Sequence, residues 1–197
     1  MKRYLILTLL ILTACRPAPV TASPAADIPA AQMDSVSNVD ILANLPEPNC
    51  KAGLTPENQE GPYYKANTPE RTSLREEGMQ GTKLILAGFV VNKDCFPIPH
   101  VWLDFWQADA SGNYDNTGYA LRGHQYTDNK GRYYLETIMP GLYASRPIEH
   151  IHVKVQAPGQ GVFTTQLYFP SQPVDGLTVQ LGDQGDYYLA VYNFVLP

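Results

Sequence analysis

The chain has 197 residues, of which 44% are hydrophobic and 17% charged, and its formal net charge is −5. This length suits a single domain, and the composition excludes a disordered, collagen-like or coiled-coil chain. The acidic balance argues against a nucleic-acid-binding module, which normally presents a basic face. Two counts need an explanation: the odd number of cysteines, three, and the 13 tyrosines.

The N-terminal sequence is typical of an exported and tethered protein. A basic start precedes the apolar run Tyr4–Leu12, which is too short to span a bilayer and suits a signal peptide. The run continues into Leu-Thr-Ala-Cys at Cys15, a sequence similar to the lipobox of bacterial lipoproteins. We predict a signal peptide over 1–14, a lipid on Cys15, and a Pro- and Ala-rich tether over 15–45. Ordinary cleavage after Ala22 is the alternative.

Two cysteines, Cys50 and Cys95, remain once Cys15 is assigned to lipid. An oxidising compartment favours a disulfide between them. The bridge would close a loop of about 45 residues and add about 4 kcal/mol of stability in the chain-entropy model. Two separate thiols are the alternative.

The remainder of the chain has the pattern of an all-β fold, with short apolar segments between turn sequences. The predicted strands cover residues 84–91, 100–108, 132–138, 150–156, 164–169 and 187–196. Asp128–Gly131 is typical of a hairpin turn, because Asn and Gly tolerate left-handed backbone. Residues 72–77 allow one or two helical turns at most. Together these signals predict an antiparallel sandwich or barrel.

His150-Ile151-His152 is the most distinctive short motif, and it lies in a predicted strand. Alternate residues of a strand point to the same face, so the two imidazoles would stand roughly 7 Å apart along it. Side chains placed in this way can bind one metal ion. A surface histidine pair on an amphipathic strand is the alternative.

Two tyrosines follow strand ends in glycine-containing loops, Tyr114 after Ser-Gly-Asn and Tyr143 after Pro-Gly-Leu. Phenolate is a hard anionic ligand, so two phenolates with two imidazoles suit a hard trivalent cation. Such an ion would lower the pKa of tyrosine far below its free value of about 10. Tyrosines that only pack a turn are the alternative, and carboxylates such as Asp104 are the other candidate ligands.

A series of motifs in this order resembles the intradiol ring-cleavage dioxygenases, non-haem Fe(III) enzymes with a β-sandwich catalytic domain. The matching segments are Glu60–Tyr64, Asp104–Tyr114, Leu121–Gly123, Thr127–Asp128, Gly131–Tyr133, Thr137–Tyr143, Arg146–Pro147, His150–His152 and Thr165–Phe169. The resemblance covers about residues 50–197. It implies an all-β domain, an antiparallel β-sandwich with long functional loops, which we place at residues 46–197.

The resemblance also implies a metal centre and a reaction. Fe(3+) would be the cofactor, bound by Tyr114, Tyr143, His150 and His152. Tyr143 would leave the metal when substrate binds and would help to take up the catechol protons. Both atoms of O2 would enter between the hydroxyl-bearing carbons of a catechol, giving a cis,cis-muconate without an external reductant.

Further residues are implied to line the substrate pocket. Arg146 and Gln166 would act in catalysis beside Tyr143. The Glu-Gly-Pro-Tyr-Tyr motif would contribute Pro62, Tyr63 and Tyr64. One feature departs from the family: the Arg-Pro-Ile-Glu-His stretch is one residue longer than the usual Arg-Pro-x-His spacing, which leaves the place of the arginine open.

Four other basic residues carry expectations of their own. Arg122 is expected to be a buried structural arginine. Lys65, Arg71 and Arg75 lie near the Gly-Pro-Tyr-Tyr segment, where they would either pair with a substrate carboxylate or remain solvated.

The sequence therefore predicts a non-haem iron(III) intradiol catechol dioxygenase, lipid-anchored outside the cytoplasm on the periplasmic or cell-surface side of a bacterial membrane. Its partners would be a small catechol and O2, with no nucleic acid, and a homo-oligomer is compatible with the sequence. Two alternatives remain. One is a non-catalytic β-sandwich module that binds aromatic or carbohydrate ligands. The other is a zinc hydrolase that uses His150 and His152 with a carboxylate such as Asp104.

Overall fold

The computed structural model describes residues 37–143 and 146–197. The signal peptide, the lipidation of Cys15 and most of the tether lie outside these residues and stay predictions. The described elements are α1 (Asn38–Ala43), β1 (Lys83–Asn92), β2 (Trp102–Trp106), β3 (Arg122–Tyr126), β4 (Arg132–Ile138), β5 (His150–Gln156), β6 (Phe163–Tyr168), β7 (Gln180–Asp183), β8 (Tyr188–Val191) and β9 (Phe194–Leu196). No helix in the described ranges is long and apolar enough to cross a membrane.

The strands form two sheets that share one apolar core, which confirms the all-β sandwich. The four-stranded sheet has the order β3-β2-β5-β6 and is antiparallel throughout. The five-stranded sheet has the order β4-β1-β8-β7, and β9 also pairs with β1. In this second sheet β1 is parallel to β8 and β9. Parallel pairing is possible because a long stretch of chain, and not a hairpin, connects β1 to these strands. This sheet is therefore mixed rather than wholly antiparallel.

The core fixes which way the four-stranded sheet faces. Leu103 and Phe105 of β2 and Ile151 and Val153 of β5 are fully buried in the core between the sheets. Because side chains alternate along a strand, the residues between them, including His152, point to the outer face of this sheet. The alternate apolar residues of β5 thus anchor the strand in the core, while the two imidazoles face away from it.

The hairpin prediction at Asp128–Gly131 is wrong. The turn itself is present, since the Asp128 carboxylate accepts a hydrogen bond from the Lys130 amide at 2.8 Å. The strands on either side do not pair, however, because β3 belongs to the four-stranded sheet and β4 pairs with β1. The turn links the two sheets. The strand β3 was not predicted, because its sequence Arg-Gly-His-Gln-Tyr has no apolar alternation.

The folded unit begins before residue 46, so the predicted end of the tether is wrong. Residues Asn38–Ala43 form α1, which starts with a reciprocal capping box between Ser37 and Asp40. Ile41 packs against Ile85 and Tyr134 of the five-stranded sheet. The helix was missed because a Pro-rich composition surrounds a single short amphipathic turn. Residues 72–77 form no helix.

Cys50 and Cys95 are joined by a disulfide, as predicted, with their Cα atoms 5.7 Å apart. The bridge ties the segment before the first strand to the turn that follows β1. It therefore fixes the start of the long stretch, residues 51–82, that crosses the surface before β1 begins.

Candidate metal centre

The candidate site lies on the outer face of the four-stranded sheet. The register places Arg122 of β3, Trp106 of β2, His152 of β5 and Gln166 of β6 in one row across the strands. Side chains in one row on one face are neighbours. The next row along the outer face holds Asp104 and its partners. Sheet pairing therefore gathers residues that are far apart in the chain into one patch.

The two imidazoles converge on a single point. His150 Nε2 and His152 Nε2 are 3.1 Å apart, and the side chains are 3% and 1% exposed. His150 Nδ1 lies 2.7 Å from the Ile148 carbonyl oxygen and donates to it, which leaves the Nε2 lone pair available. The His152 ring stacks on Trp106 at 4.7 Å. Two nitrogens bound to one metal at about 2.1 Å and at right angles lie about 3 Å apart, so this geometry fits a shared ion.

The two predicted tyrosine ligands stand beside the imidazoles. The Tyr114 ring is 6.3 Å from that of His152, the Tyr143 ring is 5.9 Å from that of His150, and the two phenol rings are 5.7 Å apart. Among the described residues, the buried Tyr114 Oη makes no hydrogen bond of normal geometry, and the Tyr143 phenol is its neighbour. A buried hydroxyl without a partner is costly. Metal ligation would give this oxygen its partner.

Close backbone contacts hold the two tyrosine loops together. Gly112 has a φ of +82°, and a Cβ atom there would lie 2.0 Å from the Leu142 carbonyl oxygen. The Gly141 amide donates to the Asp109 carbonyl at 2.8 Å. A Cβ atom at Gly141 would also be too close, at 2.5 Å from the Ala110 carbonyl oxygen. Only glycine permits this approach. The sequence therefore places glycine beside each tyrosine because the two loops pack backbone against backbone.

Burial sets the protonation states of the site. Desolvation, with the Arg146 charge as a smaller cause, lowers the pKa of His150 to about 4 and that of His152 well below its usual range. Desolvation also raises the pKa of Tyr114 well above 10. The imidazoles are therefore neutral at pH 7, as metal ligation requires. A bound cation would be needed to stabilise the Tyr114 phenolate.

Arg146 and Gln166 both reach the site. A hydrogen bond from the Ile148 amide to the Arg146 carbonyl, 2.9 Å, closes a γ-turn just before His150. Arg146 Nη2 donates to Tyr168 Oη at 2.7 Å, and Tyr168 Oη donates to Gln166 Oε1 at 2.8 Å. The sequence did not single out Tyr168 as a site residue. Its pairing opposite His150, between β5 and β6, puts it at the site.

Residues 58–68, here called the strap, cross the outer face from β6 to β3. Tyr63 stacks on Tyr114 with ring centres 4.4 Å apart and presents its edge to Tyr143. Tyr64 turns the other way, and its hydroxyl donates to Asp104 at 3.1 Å. Pro62 is exposed to solvent. Of the three predicted pocket residues, the strap therefore places only Tyr63 against the tyrosine pair.

Asp104 does not complete a zinc site. Its buried carboxylate accepts hydrogen bonds from Thr68 Oγ1 at 2.7 Å and from Tyr64 Oη, and desolvation raises its pKa. Within residues 37–143 and 146–197, no group of three or more His, Cys, Asp or Glu side chains is placed to hold a metal. The arrangement therefore gives no support to a zinc hydrolase built on Asp104.

The four basic residues considered in the sequence analysis all bond to other parts of the protein. Arg122 is 1% exposed, as expected, and donates to the carbonyls of Tyr63 at 2.6 Å and Asp115 at 3.0 Å. It thereby braces the strap against the Tyr114 loop. The other three cations bond to carbonyl or carboxylate oxygens: Lys65 to Thr117 and Gly118, Arg71 to Tyr119 and Arg122, and Arg75 to Glu136.

Comparisons with known proteins identify the family of the chain. A sequence model of a dioxygenase family matches residues 59–180. Catechol 1,2-dioxygenase of Acinetobacter guillouiae is 30% identical over 159 residues, which covers 65% of this chain and 51% of that protein. The dioxygenase domain of a dioxygenase carbohydrate-binding protein fusion from Streptomyces sp. SirexAA-E is 45% identical, with a TM-score of 0.71, and the match covers 73% of this chain and 98% of that one.

A third similar protein, 3-chlorocatechol 1,2-dioxygenase of Rhodococcus opacus 1CP, is 28% identical with a TM-score of 0.63, and the match covers 71% of each chain. The sandwich and the matched segment define a dioxygenase domain. The chain belongs to the intradiol ring-cleavage dioxygenase family. It spans about half the length of the curated relatives that it matches.

Proposed function

We propose that the chain binds Fe(III) and inserts both atoms of O2 between the two hydroxyl-bearing carbons of a catechol, forming a cis,cis-muconate. One observation carries the proposal: two imidazole Nε2 atoms 3.1 Å apart meet two phenol rings from separate loops on one buried face. The similar proteins named as catechol and 3-chlorocatechol 1,2-dioxygenases support this class of substrate.

The donor set suits the ion. The residues that would hold iron are Tyr114, Tyr143, His150 and His152. Two phenolates would offset much of the charge of a trivalent ion, and hard oxygen donors favour it over a softer metal. Bound iron would activate the catecholate for reaction of its ring with O2. The buried imidazoles would stay neutral and keep their Nε2 lone pairs on the metal.

Tyr143 and Arg146 would act on the substrate. Tyr143 is half-buried, on a loop after β4, so its phenolate would leave the metal more readily than a strand-borne imidazole. Its Oη would then accept a proton from a catechol hydroxyl. The Arg146 guanidinium, whose charge reaches His150 and Tyr114, would stabilise negative charge on the bound substrate.

The strap supports an uncharged ring as the substrate. Tyr63 stacks on Tyr114 and Gly61 lies against the His152 ring, so the strap adds apolar surface beside the four candidate ligands. Lys65, Arg71 and Arg75 bond to protein oxygens instead of facing a ligand carboxylate. We therefore expect kcat/KM for catechol to exceed that for its ring-carboxylated analogue protocatechuate.

The test of the proposed function is oxygen uptake by the iron-loaded chain with catechol. We expect one O2 consumed for each catechol and a product whose mass equals substrate plus two oxygen atoms. His152→Ala should abolish uptake, whereas His100→Ala, at an exposed histidine away from the row, should leave it unchanged. Iron-loaded protein that binds catechol without consuming O2 would contradict the proposal and favour a binding module.

We also propose an extracytoplasmic location with lipid on Cys15. The Cys50–Cys95 disulfide supports it, because such bridges persist in oxidising compartments. Metabolic labelling with a fatty acid analogue should mark the wild-type chain in its bacterial host and not Cys15→Ser. Equal labelling of both, or of neither, would contradict the anchor.

A further inference from the structure

Tyr168 Oη uses every hydrogen-bonding position that a hydroxyl has. It donates to Gln166 Oε1 at 2.8 Å, and it accepts from Arg146 Nη2 at 2.7 Å and from Asn58 Nδ2 at 3.3 Å. A hydroxyl has one donor and two acceptor sites. Since the side chain is 2% exposed, these contacts are shielded from water. One buried oxygen thus links two pocket residues to the strap.

The Arg146 side chain depends on this hydroxyl. In the described part of the chain, Tyr168 Oη is the one hydrogen-bond acceptor of its guanidinium. The backbone of Arg146 is held through its amide, which donates to the Tyr143 carbonyl at 2.9 Å. Within the described residues, the contact with Tyr168 is thus the hydrogen bond that fixes the direction of the guanidinium.

Gln166 is oriented by the same contact. Its Oε1 accepts from Tyr168, so its Nε2 is directed to the Gln59 carbonyl in the strap, to which it donates. Gln166 is fully buried in the row with His152. Loss of the Tyr168 hydroxyl would leave Oε1 unpaired and permit the amide to turn.

We propose that Tyr168 is a positioning residue whose hydroxyl holds Arg146 and Gln166 in the places that catechol cleavage needs. The assignment rests on the proposed function. Tyr168 itself would not contact the reacting atoms. It would act through the guanidinium and the amide, and its ring, 6.1 Å from that of His150, would pack the floor of the site whether or not the hydroxyl is present.

Tyr168→Phe removes the hydroxyl and keeps the ring, and Tyr192→Phe is the matched control. Tyr192 is also buried, in the five-stranded sheet region, and its hydroxyl donates to the Gly176 carbonyl at 2.7 Å. We expect Tyr168→Phe to keep wild-type iron content and the resting visible spectrum. Its kcat/KM for catechol should fall at least about tenfold, the size expected for a lost hydrogen bond to a charged group. Tyr192→Phe should stay within about twofold.

A double-mutant cycle with Arg146→Gln separates positioning from a general structural effect. Arg146→Gln should lower kcat/KM in the wild-type background and have little further effect in Tyr168→Phe. Equal factors in both backgrounds, or wild-type kcat/KM in Tyr168→Phe, would overturn the assignment.

Crystal structures of the metal-free wild-type and Tyr168→Phe chains give a readout that needs no turnover. The Arg146 guanidinium and the Gln166 amide should leave their wild-type places in the variant. Unchanged places would overturn the positioning role. A wild-type chain that consumes no O2 with catechol would instead overturn the proposed function, so the two failures are distinguishable.

Discussion

The two halves of the candidate metal centre are built in different ways. His150 and His152, the strand half, sit at alternate positions of β5, which is paired on both sides by β2 and β6. Tyr114 and Tyr143, the loop half, lie outside the named strands and are less buried. The strand half takes its geometry from backbone periodicity. The loop half takes its geometry from tertiary contacts around glycine.

This difference has a chemical consequence. A ligand on a doubly paired strand is expected to keep its place, because moving it breaks ladder hydrogen bonds and core packing. A ligand on a loop can leave the metal and return at a lower cost. The fixed half therefore suits permanent imidazole ligands, and the adjustable half suits Tyr143, the ligand proposed to exchange with substrate.

The largest effect is expected from the strand half. His152→Ala should lower iron affinity at least about a thousandfold, beyond the 10- to 100-fold typical of residues that only orient a ligand. The measurement is metal content after dialysis against a graded chelator. The control is His100→Ala, which should bind iron like the wild type; unaltered affinity in His152→Ala would remove the imidazole from the centre.

A smaller effect is expected from the contact that joins the tyrosine loops. Gly112→Ala should destabilise the metal-free chain by about 3 kcal/mol, because the new methyl group meets the Leu142 carbonyl and also has an unfavourable φ. Gly185→Ala is the control, since Gly185 has a φ of +87° and open space around it. It should cost about 1 kcal/mol in urea unfolding. Equal costs would show that the loops do not need their close approach.

The smallest effect concerns the carboxylate that caps the Tyr114 loop. Amides of Gly118, Ala120 and Thr117 donate to Asp115 and hold its pKa below the usual range. The charged form is therefore favoured in the folded chain, so its stabilisation is present above about pH 4 and is lost as the pH falls below that value. Asp115→Asn should cost about 1 kcal/mol at pH 7.

The check is urea unfolding between pH 7 and pH 3. The difference between wild type and Asp115→Asn should shrink as the pH falls, whereas Asp175→Asn, at an exposed loop position, should follow the wild type throughout. A difference that stays constant down to pH 3 would contradict a role for the Asp115 charge.

The same contrast explains what the sequence could predict. The His-x-His pair was predictable, because a two-residue period determines which side chains share a face of a strand. The tyrosines were assigned to iron through the family resemblance, since nothing local says that Gly112 meets Leu142. Tyr63 and Tyr64 are adjacent in the chain and point to different partners, Tyr114 and Asp104, which only the path of the strap decides.

Long-range pairing accounts for two further errors. Asp128–Gly131 has the local chemistry of a hairpin, but the partner of β4 is β1, about 50 residues earlier in the chain. Tyr168 escaped notice for the same reason, because its place opposite His150 depends on the register of β5 with β6. The turn and several strands could be predicted from local signals, whereas the assembly of strands into sheets was not encoded in them.

We propose that phenolates of the loop half and imidazoles of the strand half hold one ferric ion. The visible absorption spectrum of the iron-loaded chain tests this most directly. We expect a red-brown charge-transfer band from tyrosinate to Fe(III) in the wild type. The band should be strongly reduced in Tyr114→Phe and unchanged in Tyr119→Phe, whose hydroxyl bonds to the Ala66 carbonyl instead. A colourless wild-type protein with stoichiometric iron, or an unchanged band in Tyr114→Phe, would contradict the account.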